Sequence, residues 1–85
     1  MAIFHPNTIA AVQRRINAGL SEFDIGDYHY WVGIPVTLLH NVECRHIHQS
    51  TRHGSYYQRE LLLYNGVVYT DHADVYAAAE RESGQ

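Results

Sequence analysis

Cys44, His46 and His48 stand at alternate positions, and His53 follows five residues later. Alternate residues of a strand share one face, and two imidazoles at i and i+2 are spaced to ligate a single metal ion. The same geometry sets a limit. Three positions spaced by two span roughly 13 Å of strand, so a further ligand has to come from elsewhere, with His53, His29 or His72 as candidates. Against a metal stand the tendency of free cysteine to be buried as a small hydrophobe and the lack of a second ligand pair of the kind structural zinc sites use. A metal-binding protein or small metal-dependent hydrolase built on Cys44, His46 and His48 is therefore the alternative, and the expectation is of no cofactor.

A hydrolytic site can also be drawn from Arg45, His46, His48, Arg52 and His53, with histidine as acid and base and arginine holding a phosphodiester. His48-Gln49-Ser50 is a single His-x-Ser motif, and phosphoesterases built on two such motifs need a second. Small ribonuclease toxins share the size and the helix-then-sheet order, but a net acidic chain fits them poorly. Asp71-His72-Ala73-Asp74 resembles an acid–base cluster, yet a helix cap accounts for both aspartates. The chain is not expected to be an enzyme.

Composition narrows the partner. All six basic residues are arginine, and nine acids leave a net charge of −3, which disfavours nucleic acid as a partner because phosphate neutralisation supplies most non-specific affinity. Protonating all seven histidines would take the charge to +4, so the surface should change sign near pH 6. Seven tyrosines and a tryptophan exceed what a small core hides with each hydroxyl satisfied. Exposed Tyr56 and Tyr57 beside Arg52 and Arg59 would form a docking face, since Tyr and Arg combine apolar area with a polar tip. Arg14 and Arg15 supply a second candidate surface, although charge placement near a helix C-terminus also explains them.

These residues need elements to carry them. At 85 residues, 46% hydrophobic and 18% charged, the chain reads as one small globular domain with a single core. No apolar run approaches a membrane span, and one cysteine suits a reducing compartment, so a soluble cytoplasmic protein is expected. A helix should start near Asn7 or Thr8 and end at Gly19, with Ile9, Val12, Ile16 and Leu20 as its apolar stripe. Ser21 to Asp27 reads as a connection. Tyr28 to Val32 reads as a strand, interrupted by Gly33 and Pro35. Val36 to His48 reads as a long strand bent near His40-Asn41, with a helix opening at Pro35 as the competing assignment. Gln49 to Ser55 reads as a mobile loop.

The clearest element is a hairpin within Tyr57–Thr70. Asn65-Gly66 suits the two positive-φ positions of a type I′ turn and pairs Leu61–Tyr64 with Val67–Thr70. Thr70 and Asp71 then cap a C-terminal helix through Val75 to Glu80, with Asp74 placed as in a capping box. The expected fold is a two-layer α+β sandwich of helix, three to four antiparallel strands and helix, both helices on one face of the sheet. The expected function is a small protein-binding module that occupies a partner protein's surface, as inhibitory or anti-defence proteins of mobile elements do. A sheet edge would also allow a homodimer.

Overall fold

The computed structural model describes residues 4–51 and 59–84. Helix α1 covers Pro6–Asn17, followed by strands β1 (Glu22–Ile25) and β2 (Tyr28–Thr37), and a single 3-10 turn at Leu39–Asn41. Strands β3 (Glu43–Thr51), β4 (Arg59–Tyr64) and β5 (Val67–Tyr69) come next, and helix α2 covers His72–Gly84. The five strands form one antiparallel meander in the order β1-β2-β3-β4-β5, each paired with its neighbours in sequence.

Helix α1 begins one or two residues earlier than its periodicity indicates, because His5 is the cap. Its Nδ1 accepts the Asn7 N–H at 3.0 Å and Pro6 occupies the first helical position, where a missing N–H does no harm. At the other end Gly19, at φ +86°, lets the Gly19 N–H reach the Ile16 carbonyl and the Leu20 N–H reach the Arg15 carbonyl. Two carbonyls that a helix end would leave unsatisfied are thereby paired.

Four expectations are corrected along the next stretch. Ser21 to Asp27 is not a plain connection: Glu-Phe-Asp-Ile alternates, and Phe23 and Ile25 face the core while Glu22 and Asp24 face away, making a fifth strand. Strand β2 also continues through Gly33 and Pro35. β1 pairs only as far as Trp31, so past that point β2 is itself an edge, where proline is tolerated. Gly33 and Ile34 sit opposite His46 alone, a β-bulge between the pairs Val32↔Ile47 and Pro35↔Arg45. Val36 to His48 is strand rather than helix, but it is two strands. His40 and Asn41, at φ 61° and 60°, make a tight reversal that folds β3 back on β2. β3 reaches Thr51, so the expected loop loses Gln49 to Thr51; its remainder, 52–55, lies outside the described residues.

The Asn65-Gly66 hairpin has the expected register, Tyr64↔Val67, Leu63↔Val68 and Leu62↔Tyr69, with φ 53° and 81° at the turn. Asp71 caps α2, its Oδ1 accepting the Ala73 N–H at 3.0 Å. The two helices do not share a face. Leu61 and Leu63 of β4 join Val12, Phe23, Tyr30, Ile47 and Val68 beneath α1, whereas Leu62 joins Cys44 and Val75 beneath α2. Consecutive strand residues point to opposite faces, so α1 and α2 lie on opposite sides of the sheet and the architecture is three layers deep at β4 and β5.

The open edge of β5 is closed by a side chain. Gln13 of α1 accepts the Val68 N–H at 2.8 Å through Oε1 and donates to the Gly66 carbonyl at 2.9 Å through Nε2. Its amide stands in for a sixth strand and blocks edge-to-edge pairing.

A Cβ at Gly66 would meet nothing within 4 Å, so a substitution there is strained only through the backbone. Gly66→Val is expected to lower stability by about 1–3 kcal/mol, because a β-branched residue resists φ > 0. Chemical denaturation measures this, and an unchanged midpoint would mean the turn is not a determinant of the hairpin.

Candidate functional site

The sheet face shared with α2 divides into two halves. Over one half α2 packs on Cys44, Leu62, Tyr64 and Tyr69. The other half carries Glu22 and Asp24 of β1, His29 and Trp31 of β2, His46 and His48 of β3 and Glu60 of β4, and no described element covers it. All seven stand opposite core residues of the α1 face, one step away in sequence, which is how strand alternation collects them.

Four histidines and the tryptophan form a continuous row of rings. His29 stacks on Trp31 with centroids 5.7 Å apart, Trp31 on His48 at 5.3 Å, His48 meets His46 at 5.9 Å, and His46 meets His72 of α2 at 6.4 Å. The bulge permits this packing: a Cβ at Gly33 would stand 3.0 Å from His48 Nε2. Glu60 sits between His46 and His48, 3.7 Å from a nitrogen of each.

His29 is held from both sides. Its Nδ1 lies 2.6 Å from Asp24 Oδ1 and its Nε2 lies 2.8 Å from Glu22 Oε2. Only the imidazolium donates from both nitrogens. The hydrogen bond to Asp24 raises its pKa most; partial desolvation opposes that, and the Glu22 bond and the two carboxylate charges raise it further. Ser50 pairs with His29 in register, so serine, histidine and aspartate meet here. They are no nucleophilic triad, because Glu22 takes the nitrogen that would have to receive the serine proton.

Cys44 is separated from the histidines it was grouped with. It is buried under α2 against Leu62 and Val75, and desolvation pushes its thiol pKa up, which opposes the thiolate a metal requires. Among the described residues no three His, Cys, Asp or Glu side chains converge to hold a metal ion. Arg45 donates to the Gly33 carbonyl at 2.9 Å, and Arg52 and His53 lie outside the described residues, so the phosphodiester constellation is not assembled among the described residues.

The expected tyrosine and arginine face falls largely outside the described residues. Tyr56, Tyr57 and Arg52 lie outside the described residues. Arg59 stands over the Phe4 ring at 5.9 Å, and Arg14 and Arg15 occupy the last turn of α1 on the far side of the molecule from α2. Most described tyrosines are structural. The Tyr30 hydroxyl takes Gln49 Nε2 at 2.7 Å within the core, Tyr64 donates to Glu82 at 2.9 Å, and Tyr76 accepts the Leu39 N–H at 3.1 Å.

A surface with no counterpart in the sequence reading lies where the β2–β3 reversal meets α2. An open groove of about 960 Å³ runs between them, with Val42, Tyr64, Ala73, Tyr76 and Ala77 among its lining. Leu39 at the reversal is 72% exposed, and Ile34 at the bulge is 78% exposed, more than any other large apolar side chain among the described residues. The sequence signal was available in part: Leu39-His40-Asn41 places a large apolar residue directly before two residues that tolerate positive φ.

No known protein family, curated protein or solved structure matches this chain. Function has to be inferred from these surfaces alone.

The His29 clamp makes a signed prediction. Its folded pKa is raised above the ordinary 6.5, so its contribution to stability is fully present below about pH 6.5 and is lost as pH rises through the folded value. Comparing His29→Gln with the parent from acid to alkaline pH should show a stability difference that shrinks as pH rises, and that shrinks with added salt because the carboxylates are half-exposed or more. A difference constant with pH would mean the clamp does not titrate with folding.

Proposed function

We propose that this chain is a protein-binding module that acts by occupying a partner protein's surface, and that it docks through the groove between α2 and the β2–β3 reversal. One observation carries this: Leu39 is held out in solvent, at the lip of an apolar groove, by a hydrogen-bonded turn. The turn, with His40 and Asn41 at positive φ, is held by the bond from the Leu38 N–H to the Val42 carbonyl at 2.7 Å and by the bond from the Leu39 N–H to the Tyr76 hydroxyl. On the Leu39 side that bond uses only the backbone N–H, so it places no demand on the leucine side chain. Burying such a side chain against a partner is worth about 1.5–3 kcal/mol, and a pre-ordered turn spares most of the ordering entropy.

Catalysis is less well supported by the open half of the same face. Two imidazoles and a carboxylate can relay protons, but His29 has no free nitrogen, and three carboxylates with no arginine among the described residues repel an anionic substrate. The same carboxylates disfavour nucleic acid.

The test uses a photo-crosslinking side chain on α2 at Ala73, in the parent and in Leu39→Ser. The parent should capture a discrete host protein, and Leu39→Ser should lose it while unfolding at the same temperature, because exposed substitutions shift stability by no more than about 0.5 kcal/mol and interface anchors weaken binding by about 2 kcal/mol or more. Capture of the same species by Leu39→Ser at equal yield would remove the groove from this account.

A further inference from the structure

Independently of the docking surface, we propose that Asn65 is a modification site: its side-chain amide is lost to attack by the neighbouring Gly66 nitrogen in the β4–β5 turn, and the acid left behind unfastens α2 from the hairpin. The chain has four asparagines, Asn7, Asn17, Asn41 and Asn65, and all four are exposed. An asparagine amide is cleaved from within when the backbone nitrogen of the next residue attacks its Cγ, so the state of that nitrogen decides which asparagine reacts. At three of them it is tied up. The Thr8 N–H donates to the His5 carbonyl at 2.9 Å, the Ala18 N–H to the Arg14 carbonyl at 3.0 Å and the Val42 N–H to the Leu39 carbonyl at 3.3 Å. The Gly66 N–H makes no hydrogen bond among the described residues. Glycine is also the least hindered nucleophile, and even a Cβ built at Gly66 would meet nothing within 4 Å. Asn41 is the informative comparison: its φ of 60° matches the 53° of Asn65, so the backbone at the asparagine does not separate the two, and the following nitrogen does.

The chemistry balances with water alone. Hydroxide takes the Gly66 amide proton and the nitrogen bonds to Asn65 Cγ; the Cγ–Nδ2 bond then breaks as Nδ2 takes a proton from water and leaves as ammonia. The product is a five-membered succinimide ring. Water opens it at one carbonyl or the other, giving aspartate at position 65, or isoaspartate, in which the main chain runs through the side-chain carbons. Nothing is oxidised or reduced.

The fold gives this change a consequence. Asn65 Nδ2 donates to Glu82 Oε2 at 2.7 Å, and the other Glu82 oxygen accepts the Tyr64 hydroxyl at 2.9 Å, so the last turns of α2 are fastened to the hairpin through one carboxylate. Ionised aspartate offers no donor and sets like charge against Glu82. Isoaspartate adds a main-chain atom to a turn that joins Tyr64 to Val67 through two residues. Either product releases Glu82, and because ammonia is lost the hairpin acts as a one-way timer on the attachment of α2.

The full chain, held in mildly alkaline buffer, is followed by intact mass and peptide mapping beside a free peptide of residues 63–68. Position 65 should convert, faster as pH rises, to a mixture that includes isoaspartate, while Asn7, Asn17 and Asn41 keep their amides. Amide hydrogen exchange at Arg81, Glu82 and Ser83 should speed up in the converted chain. Asn65→Asp should reproduce that change without unfolding, since aspartate tolerates the left-handed region, and in Glu82→Gln conversion should alter exchange less because no opposing charge remains. An intact Asn65 in the time the free peptide converts fully would overturn the proposal. Equal conversion at Asn41 would overturn selection by the following nitrogen, and aspartate alone at a pH-independent rate would replace the ring step by direct hydrolysis. Conversion with unchanged exchange in α2 would overturn the timer.

Discussion

Leu61 and Leu62 are neighbours in the chain and point into different cores, Leu61 toward Val12 of α1 and Leu62 toward Val75 of α2. Both are buried, and the rest of the fold follows from that double burial. A strand covered on both faces reads as a continuous apolar run, which is what Leu61-Leu62-Leu63 is. An antiparallel meander with one apolar face would need one helix layer. This one needs two, because β4 offers a hydrophobic residue to each side. The Asn65-Gly66 turn holds the register, and a slip of one residue would exchange the two cores.

Away from β4 the face shared with α2 is no longer apolar throughout, and the bulge at Gly33 marks the change. Before it, β2 presents Tyr30 and Val32 to the α1 core; after it, Val36 joins the α2 core. An even separation would have kept Val32 and Val36 on one face. The extra residue reverses the alternation, so that the distal part of the hairpin supports α2 while the proximal part leaves His29, Trp31 and His48 open. A bend in one strand thus separates a packed half-face from a polar one. It also carries the β2–β3 reversal out beside α2, where the reversal and the helix enclose the groove.

The two halves have different electrostatic characters. On the open half the carboxylates are engaged: Glu22 and Asp24 hold His29, and Glu60 stands between His46 and His48. Such pairs compensate the charge that histidine brings and make the row of rings a self-contained feature of the sheet. At the groove, the Glu80 side chain of α2 is exposed and makes no hydrogen bond or ion pair among the described residues.

Local chemistry determined a good deal of this protein from sequence alone. Asn65-Gly66 specified the β4–β5 register, Asp71 the start of α2, and Gly19 the end of α1, because each acts through backbone conformation and hydrogen bonds within a few residues. The alternation of Cys44, His46 and His48 correctly placed them on one face of a strand. What alternation does not encode is which part of that face a helix will cover. Cys44 went under α2 and the histidines did not, a difference set by where α2 lands after the hairpin. β1 was missed because its acidic residues look like a loop until His29, on the next strand, supplies their partner. The placement of the helices on opposite faces and the groove beside Leu39 were decided by tertiary structure alone, since both depend on contacts between segments thirty or more residues apart in sequence, such as Leu39 with Tyr76. Local propensity carries no record of such contacts; only the packing of the assembled sheet does.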